Sequence, residues 1–480
     1  HPLHEKAKNR KSDLMENYAG DIELYKFKQF IIQKQEKEFA QTSEKLKYKS
    51  DAIIGFSARD IWANQEAFLQ NYRIGCPYGG EGASIQYSSW GNNQLWDIAF
   101  VNPNKLFNPD GTIGIGGKLI QEKFRALLKN HQGIRIDHVL GLADPWVYDK
   151  NRVEIIKDGD KIIHTIAHGA NVSMFGKPNA YKIEPHWSWE QKEIQSKINA
   201  DIENMPDIDP EGNYKKLIHE ILLPVIKEKG LKLTDIAWEN LGCPTDVFNE
   251  VCYGHNNTRP AGDTREIIPG MSSLKSYKGE NEAKSVPDNT FLIQGHDDEH
   301  TGKLVTNNFF EEKKNDVMNP LYLIGTLYPD LPENSDEKKG IKWEDSKDFL
   351  INKMAHNTDL RTKVKWQELF RFGKNIQITF MDFFGLEDRY NYAGTNDSRN
   401  WKLRLPLNYK DEFYKTLQCA KNDDKKDPMW WQHIAMNVPE MLERAVISKA
   451  MNEGKGKDSV KNLTDRLHHW AEVLYAPDEK

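Results

Sequence analysis

The stretch KLIQEKFRALLKNHQGIRIDHVLGL, residues 118–142, decides the fold. Leu119, Ile120, Phe124, Leu127 and Leu128 recur at helical spacing, so the segment reads as a helix with one buried face. Gly133 stops that helix, and Ile134-Arg135-Ile136-Asp137 follows as a short buried strand with His138 directly after it. An amphipathic helix, then a buried strand, then polar residues at the strand's C-terminal end is the repeating unit of a parallel α/β fold.

The same order recurs on both sides. Upstream, Leu24, Phe27, Phe30 and Ile31 predict a helix over 23–47, and Ala52-Ile53-Ile54-Gly55-Phe56, headed by Asp51, predicts the strand after it. Downstream, Leu217, Ile218, Ile221, Leu222, Val225 and Ile226 predict a helix bent at Pro224 and stopped near Gly230. A strand is then expected over Leu233-Thr234-Asp235-Ile236-Ala237. Further strands are expected at Phe291–Ile293 and Ile376–Phe380. Polar groups sit at or just past these strand ends: Asp137, Glu239, His296 with Asp297, and Asp382. A dinucleotide-binding sheet would need a glycine-rich turn directly after its first strand. The best candidate, GTIGIGG at 111–117, instead follows a loop containing Asn102-Pro103 and Asn108-Pro109. The expected fold is a (β/α)8 TIM-type barrel with insertions, which places its chemistry at strand C-termini.

Between Val153 and Tyr214 the chain is polar and weakly periodic, and reads as an insertion or small subdomain. The expected partition is therefore 1–152 for one barrel part, 153–214 for the insertion, and 215–480 for the remaining barrel and C-terminal helices. The last helices are expected at Pro439–Glu453 and Ser459–Leu474.

Composition narrows the function. Apolar residues make up 38% of the 480, enough for a sizeable core, and no run approaches the ~18 apolar residues of a membrane span. A net charge of −6, from 66 basic and 72 acidic residues, lacks the basic footprint of a nucleic-acid binder. Four cysteines form no disulfide framework, and the Cys252/His255 gap has no second pair to complete a zinc site. The opening HPLHEKAKNRKSD has no apolar core of a secretory signal, and the cysteines read as reduced thiols, from which a cytoplasmic location is expected.

Three segments place an acid where a strand becomes a loop. In Arg135-Ile136-Asp137-His138 the alternation of a strand sends Arg135 and Asp137 to one side, where a guanidinium keeps a carboxylate ionised for nucleophilic attack. The same pair is equally readable as a structural ion pair. Glu239, beside Trp238, is a candidate for a poorly solvated general acid, or an ordinary loop residue packed on the indole. His296-Asp297-Asp298-Glu299-His300 has the count of a metal site but not the spacing, and serves equally as a hydrogen-bonding cluster for a polar ligand. Together the three fit retaining glycoside chemistry, which needs a nucleophilic carboxylate and an acid/base carboxyl about 5–5.5 Å apart. Thirteen Trp and 18 Tyr suit a sugar-binding surface.

At these residues the chain resembles the amylomaltases, the 4-α-glucanotransferases of glycoside hydrolase family 77. Arg135-Ile136-Asp137-His138 with Gly141-Leu142 is similar to the family's RIDH segment, which makes Asp137 the nucleophile. Glu239-Asn240-Leu241-Gly242 resembles EDLG, which makes Glu239 the acid/base, and Gly295-His296-Asp297-Asp298 resembles THDN, in which His296 and Asp297 hold hydroxyls and stabilise the transition state. Asp51 before Ala52-Ile53-Ile54 is similar to the GDLPI strand, and Asp60–Asn64 to DVWAN. Trp90-Gly91-Asn92 matches the next loop, and Asp382–Leu386 with Asn400-Trp401 and Arg404 the last-strand region. The resemblance runs from about residue 23 to 405.

It implies transfer of α-1,4-glucan segments between maltooligosaccharides through a covalent glycosyl-enzyme. Arg135, His138, His296, Asp51, Trp90 and Asn92 would contact sugar or support the carboxylates, with no cofactor and no metal. A glucan hydrolase, or a non-catalytic glucan-binding remnant, are the alternatives. The chain departs from the family at Trp238, in place of a small residue, at Asn240 for Asp, and at Asp298 for Asn. The strand at Asp51 corresponds to the third of the barrel, and the first two have no counterpart in this numbering.

Overall fold

The structure, a computed structural model, describes residues 2–41, 47–76, 94–159, 161–172, 174–175, 212, 214–240, 245–255, 265, 267–273, 290–293, 358–386, 390–391, 398–422 and 435–475. Among the described residues ten strands make two sheets. In the first, β1 (Ser50–Ala52), β4 (Ile134–Ile136), β7 (Ile236–Glu239), β8 (Gly270–Ser273), β9 (Phe291–Ile293) and β10 (Asn375–Gln377) lie side by side in chain order. Every neighbouring pair is parallel. Chain-order parallel pairing is the (β/α) arrangement expected from the sequence.

Among the described residues β1 and β10 are the two edges, so this sheet is not closed. It nonetheless curls. The Lys49 ammonium lies 4.8 Å from the centre of the Phe291 ring, although β4, β7 and β8 stand between β1 and β9. Burial strips water from that ammonium and lowers its pKa, against the pull of Asp235. The contact spans the inner face of the curve, the face that also carries Asp51, Arg135 and Glu239.

The second sheet is antiparallel, in the order β3-β2-β5-β6. It comprises β2 (Phe68–Cys76), β3 (Gln94–Val101), β5 (Trp146–Asp158) and β6 (Lys161–Asn171). Its hairpin β5–β6 turns at Asp158-Gly159, where Gly159 has φ +60°, a left-handed value that glycine adopts without cost. The stretch from 153 expected to be weakly periodic is thus strand as far as Asn171.

Twelve α-helices lie among the described residues. They are α1 (Pro2–Asn17), α2 (Ala19–Ala40), α3 (Ala58–Ala63), α4 (Ile115–Leu127), α5 (Leu140–Ala143), α6 (Leu223–Glu228) and α7 (Asp246–Tyr253). Then come α8 (Thr358–Phe372), α9 (Phe380–Phe384), α10 (Tyr409–Asn422), α11 (Val438–Asn452) and α12 (Lys461–Tyr475). The main core joins the outer faces of β4 and β7, through Ile134, Ile136, Ile236 and Trp238, to Ile120 and Phe124 of α4 and Leu217–Ile226.

Three strand expectations and one helix expectation shift. The strand expected at Ala52–Phe56 ends at Ala52, and Ile53 is exposed. The strand expected at 233–237 begins only at Ile236, because Leu233–Asp235 form a 3-10 turn. The strand expected at 376–380 stops at Gln377, because the Thr379 side chain accepts the Asp382 N–H and caps α9. Pro224 does not bend one long α-helix. A π-helical segment, Lys215–Leu222, passes into α6, with the proline in the first turn of α6 and the Gln121 side chain donating to the Glu220 and Ile221 carbonyls in the turn before it.

Candidate active site

Parallel register assembles the site. Asp51 pairs with Arg135, and Arg135 with Ala237. Because side chains alternate, Asp51, Arg135 and Glu239, two residues past Ala237, share one face, with Asp137 following Arg135 on that side. The opposite face of β4 is closed by Ile134 and Ile136, both fully buried.

The Arg135 guanidinium is the hub. Its Nη1 donates to Asp51 at 2.8 Å and 2.9 Å and lies 3.0 Å from Asp137 Oδ1. Its Nη2 lies 3.0 Å from Glu239 Oε2. Burial alone would lower the Arg135 pKa, but Glu239, Asp51 and Asp137 together raise it above the ordinary arginine range. The cation is therefore fixed at any pH at which the protein is folded, and holds three carboxylates around it.

The backbone locks the same groups. Asp137 N–H donates to Ala52 O at 3.0 Å, tying the end of β4 to β1. His138 N–H donates to Glu239 Oε2 at 3.0 Å, and Val139 N–H to Glu239 O at 3.3 Å. His138 adopts φ +41°, a left-handed conformation disfavoured for a side chain with a Cβ. Strain of about 1–3 kcal/mol persists only where surroundings enforce it, and here it accompanies the His138 N–H bond to Glu239. The His138 ring packs edge-on against Trp96 of β3, with centroids 4.7 Å apart at 87°. Burial pushes its pKa down to about 4, against the pull of Asp137, so the ring is neutral near pH 7. Gly141 sits under this turn, where a Cβ would strike Ile54 and come within 3.4 Å of the His138 ring.

One further cation approaches from below. Lys123 of α4 donates to Gly55 O at 2.6 Å and to Ile53 O, pinning the segment that follows β1. Burial lowers its pKa to about 8, while Asp60 and Asp137 pull upward. Its stem lines a cavity of about 40 Å³ with Ile54, Phe56, Ile120 and Phe124.

An arginine-clamped pair of carboxylates at the C-terminal ends of adjacent parallel strands is an arrangement suited to attack and protonation at one bond. A family profile described as 4-alpha-glucanotransferase, glycoside hydrolase family 77, matches residues 1–408. The chain belongs to that family. Among solved structures it is similar to an amylomaltase from Streptococcus agalactiae in complex with acarbose, at 15% identity and a TM-score of 0.47. That alignment covers 84% of this chain and 64% of the other, so the chain spans less than two thirds of that enzyme. An amylomaltase from Corynebacterium glutamicum is similar at 14% identity and a TM-score of 0.40, over 74% of this chain and 41% of that one. No curated protein matches.

Of the residues expected at the site of this 4-alpha-glucanotransferase family member, the structure gathers Asp51, Arg135, Asp137, His138 and Glu239. Asp297, His296, Trp90 and Asn92 lie outside the described residues, as does the His296–His300 cluster. Among the described residues no group of His, Cys, Asp and Glu could hold a metal ion, and no helix is long and apolar enough to cross a membrane. Trp238 does not line the site. It is fully buried on the opposite face of β7, so the expected desolvation of Glu239 by the indole is replaced by contacts with Arg135 and His138 N–H. Sequence reasoning missed Trp96 and Lys123. The signal for Trp96 was an aromatic on a strand that opens just past Asn92. Lys123 is the lone cation on the apolar face of α4, three residues after Ile120 and beside Phe124.

Proposed function

We propose that the protein is a retaining 4-α-glucanotransferase acting on α-1,4-linked maltooligosaccharides, with Asp137 as nucleophile and Glu239 as acid/base. The observation that supports it is the Arg135 guanidinium touching Asp137 on one nitrogen and Glu239 on the other. One rigid planar group then sets the spacing between nucleophile and acid/base, as a double-displacement reaction requires.

In this reading Glu239 gives its proton to the glycosidic oxygen as Asp137 Oδ attacks the anomeric carbon, releasing the reducing-end fragment. Arg135 Nη2 and the His138 N–H hold the Glu239 carboxyl through Oε2. The resulting glycosyl ester is attacked by the 4-hydroxyl of an acceptor glucan, whose proton returns to Glu239. Asp51 shares the charge of Arg135, and neutral His138 offers its ring to a sugar hydroxyl. Asp297, His296, Trp90 and Asn92 enter on the resemblance, as transition-state stabiliser and sugar contacts. Carboxylates suffice for this chemistry, so no cofactor is required. A cytoplasmic location is part of the same proposal and rests on the sequence, whose four cysteines have no disulfide-framework spacing.

The test is incubation with maltotriose and separation of the products. Glucose with a ladder of longer maltodextrins, lost in Asp137→Asn and in Glu239→Gln, is the expected outcome. Glucose and maltose without longer products would make the protein a hydrolase. Glucan binding without turnover would overturn the catalytic reading.

A further inference from the structure

Asp144 is a fully buried acid outside the carboxylate cluster. It ends α5, the single turn that follows the Asp137-His138 corner, with its N–H donating to Leu140 O at 2.7 Å. Its backbone carbonyl accepts from Asn171 Nδ2 at 2.9 Å, anchoring it to β6. Its carboxyl Oδ2 accepts the hydroxyl of Thr245, the N-cap of α7, whose Oγ1 accepts Phe248 N–H at 3.1 Å.

At the other end of α7, the Tyr253 hydroxyl accepts from Asn240 Nδ2 at 3.1 Å. Asn240 directly follows Glu239, whose carbonyl and carboxyl take the N–H groups of Val139 and His138. The contacts close a ring: from Glu239 through His138 and Val139 to α5 and Asp144, across to Thr245, along α7 to Tyr253, and back through Asn240 to Glu239. Asp144–Thr245 is the link in that ring between the loop carrying Asp137 and the helix bracing Glu239.

We propose that Asp144 is a positioning residue for the acid/base carboxyl, holding Thr245 and thereby α7 so that Glu239 stays aimed at the scissile oxygen. The inference rests on Glu239 being the acid. A neutral acceptor satisfies Thr245 as well as a carboxylate does, so Asp144→Asn keeps the latch, whereas Asp144→Ala and Thr245→Val break it and Thr245→Ser retains it.

Two donors separate positioning from general damage. Maltotriose needs a proton on its leaving oxygen; α-maltosyl fluoride, with a far better leaving group, needs little acid assistance. Misplacing the acid by about 1 Å should lower kcat on maltotriose about 10–100-fold in Asp144→Ala and Thr245→Val, with KM little changed. On the fluoride the loss should stay below about threefold, and Asp144→Asn and Thr245→Ser should match the parent on both donors. The double variant Asp144→Ala/Thr245→Val should lose no more than either single one, because both break the same link. If Asp144→Ala does not fold, Thr245→Val with Thr245→Ser carries the comparison. Equal losses on both donors, or full maltotriose activity in a folded latch-breaking variant, would overturn the inference while leaving the proposed function standing. A parent protein inert on both donors would instead sink the proposed function, and this inference with it.

Discussion

Replacing Asp144 by Asn should change how stability depends on pH, by an amount the structure sets. Burial pushes the Asp144 carboxyl from an ordinary 3.8 up to about 7, with the Thr245 hydroxyl pulling the other way. Its Oδ1 is buried and has no hydrogen-bond partner among the described residues, which is where an ionised oxygen would be worst placed. Between pH 4 and 7 the unfolded chain has lost this proton and the folded chain retains it. The unfolded state thus binds fewer protons, and unfolding free energy falls as pH rises, at about 1.4 kcal/mol per unit. The contribution is fully present below pH 4 and is lost as pH rises through 7, a swing of about 4 kcal/mol, of which about 2.3 kcal/mol falls between pH 5 and 7. An asparagine has no such proton. Urea unfolding of both proteins at pH 5, 6, 7 and 8 gives the difference directly, and groups titrating identically in both, such as His138, cancel. The variant should gain on the parent steadily from pH 5 to 7 and level off above. A difference that stays flat across this range would mean that Asp144 is ionised in the native state throughout, refuting its burial against Thr245.

His138 offers the complementary case. Its ring should titrate near pH 4 by proton NMR, so the native state loses stability as pH falls from about 6.5 toward 4; a midpoint near 6.5 would contradict its burial against Trp96. Asp137→Asn and Glu239→Gln should each reduce glucose release from maltotriose more than about 10³-fold without changing the unfolding midpoint greatly, as measured in urea. Dialysis against a chelator should leave that activity unchanged, and a reversible loss would make a metal part of the site. Gly270→Ala would place a Cβ 3.0 Å from both side-chain atoms of Asn240 and 3.1 Å from the Tyr253 hydroxyl, so it should cost about 1–3 kcal/mol and mimic the latch-breaking variants on maltotriose.

The parallel sheet was legible in part. β4 and β7 follow the apolar helical faces read at 119–128 and 217–226 and lead to Asp137 and Glu239, and β4 lies within a residue of its expected bounds, whereas β8 was not expected. The Arg135–Asp137 geometry followed from a period of two. The strand at Asp51 was misplaced for a physical reason. β1 is Ser50-Asp51-Ala52, polar because Asp51 faces the guanidinium, while the apolar run after it packs against the cavity beside Lys123 rather than in the sheet. The antiparallel sheet was illegible in part because β3 bulges at Trp96-Asp97, between its pairs Ile98–Ile74 and Leu95–Gly75 with β2, which breaks the alternation. The hairpin β5–β6 did carry a signal, Asp158-Gly159 between two runs rich in isoleucine. That Asp144 and Thr245 meet across 101 residues is a tertiary fact with no local signature.

The departures from the family at Trp238 and Asn240 become one feature in the folded chain. Trp238 stands in register with Gly270 on the neighbouring strand, so a large side chain faces a position that has none. Its indole turns outward into the core and packs edge-on against Tyr253, with centroids 6.3 Å apart, while Asn240 holds the hydroxyl of that tyrosine. Gly270 leaves no room for a Cβ beneath Asn240 and Tyr253. Trp238, Asn240, Tyr253 and Gly270 therefore form a single packing unit behind Glu239, in which changing one member demands a change in another. An aspartate at 240 would put a second carboxylate directly after Glu239 and remove the amide that donates to Tyr253. Asn240→Asp should accordingly weaken the brace on Glu239 even though it restores the family's usual residue. Loss of maltotriose turnover in that variant with α-maltosyl fluoride turnover retained is the expected result, and a gain in both would show that position 240 acts on substrate rather than through α7.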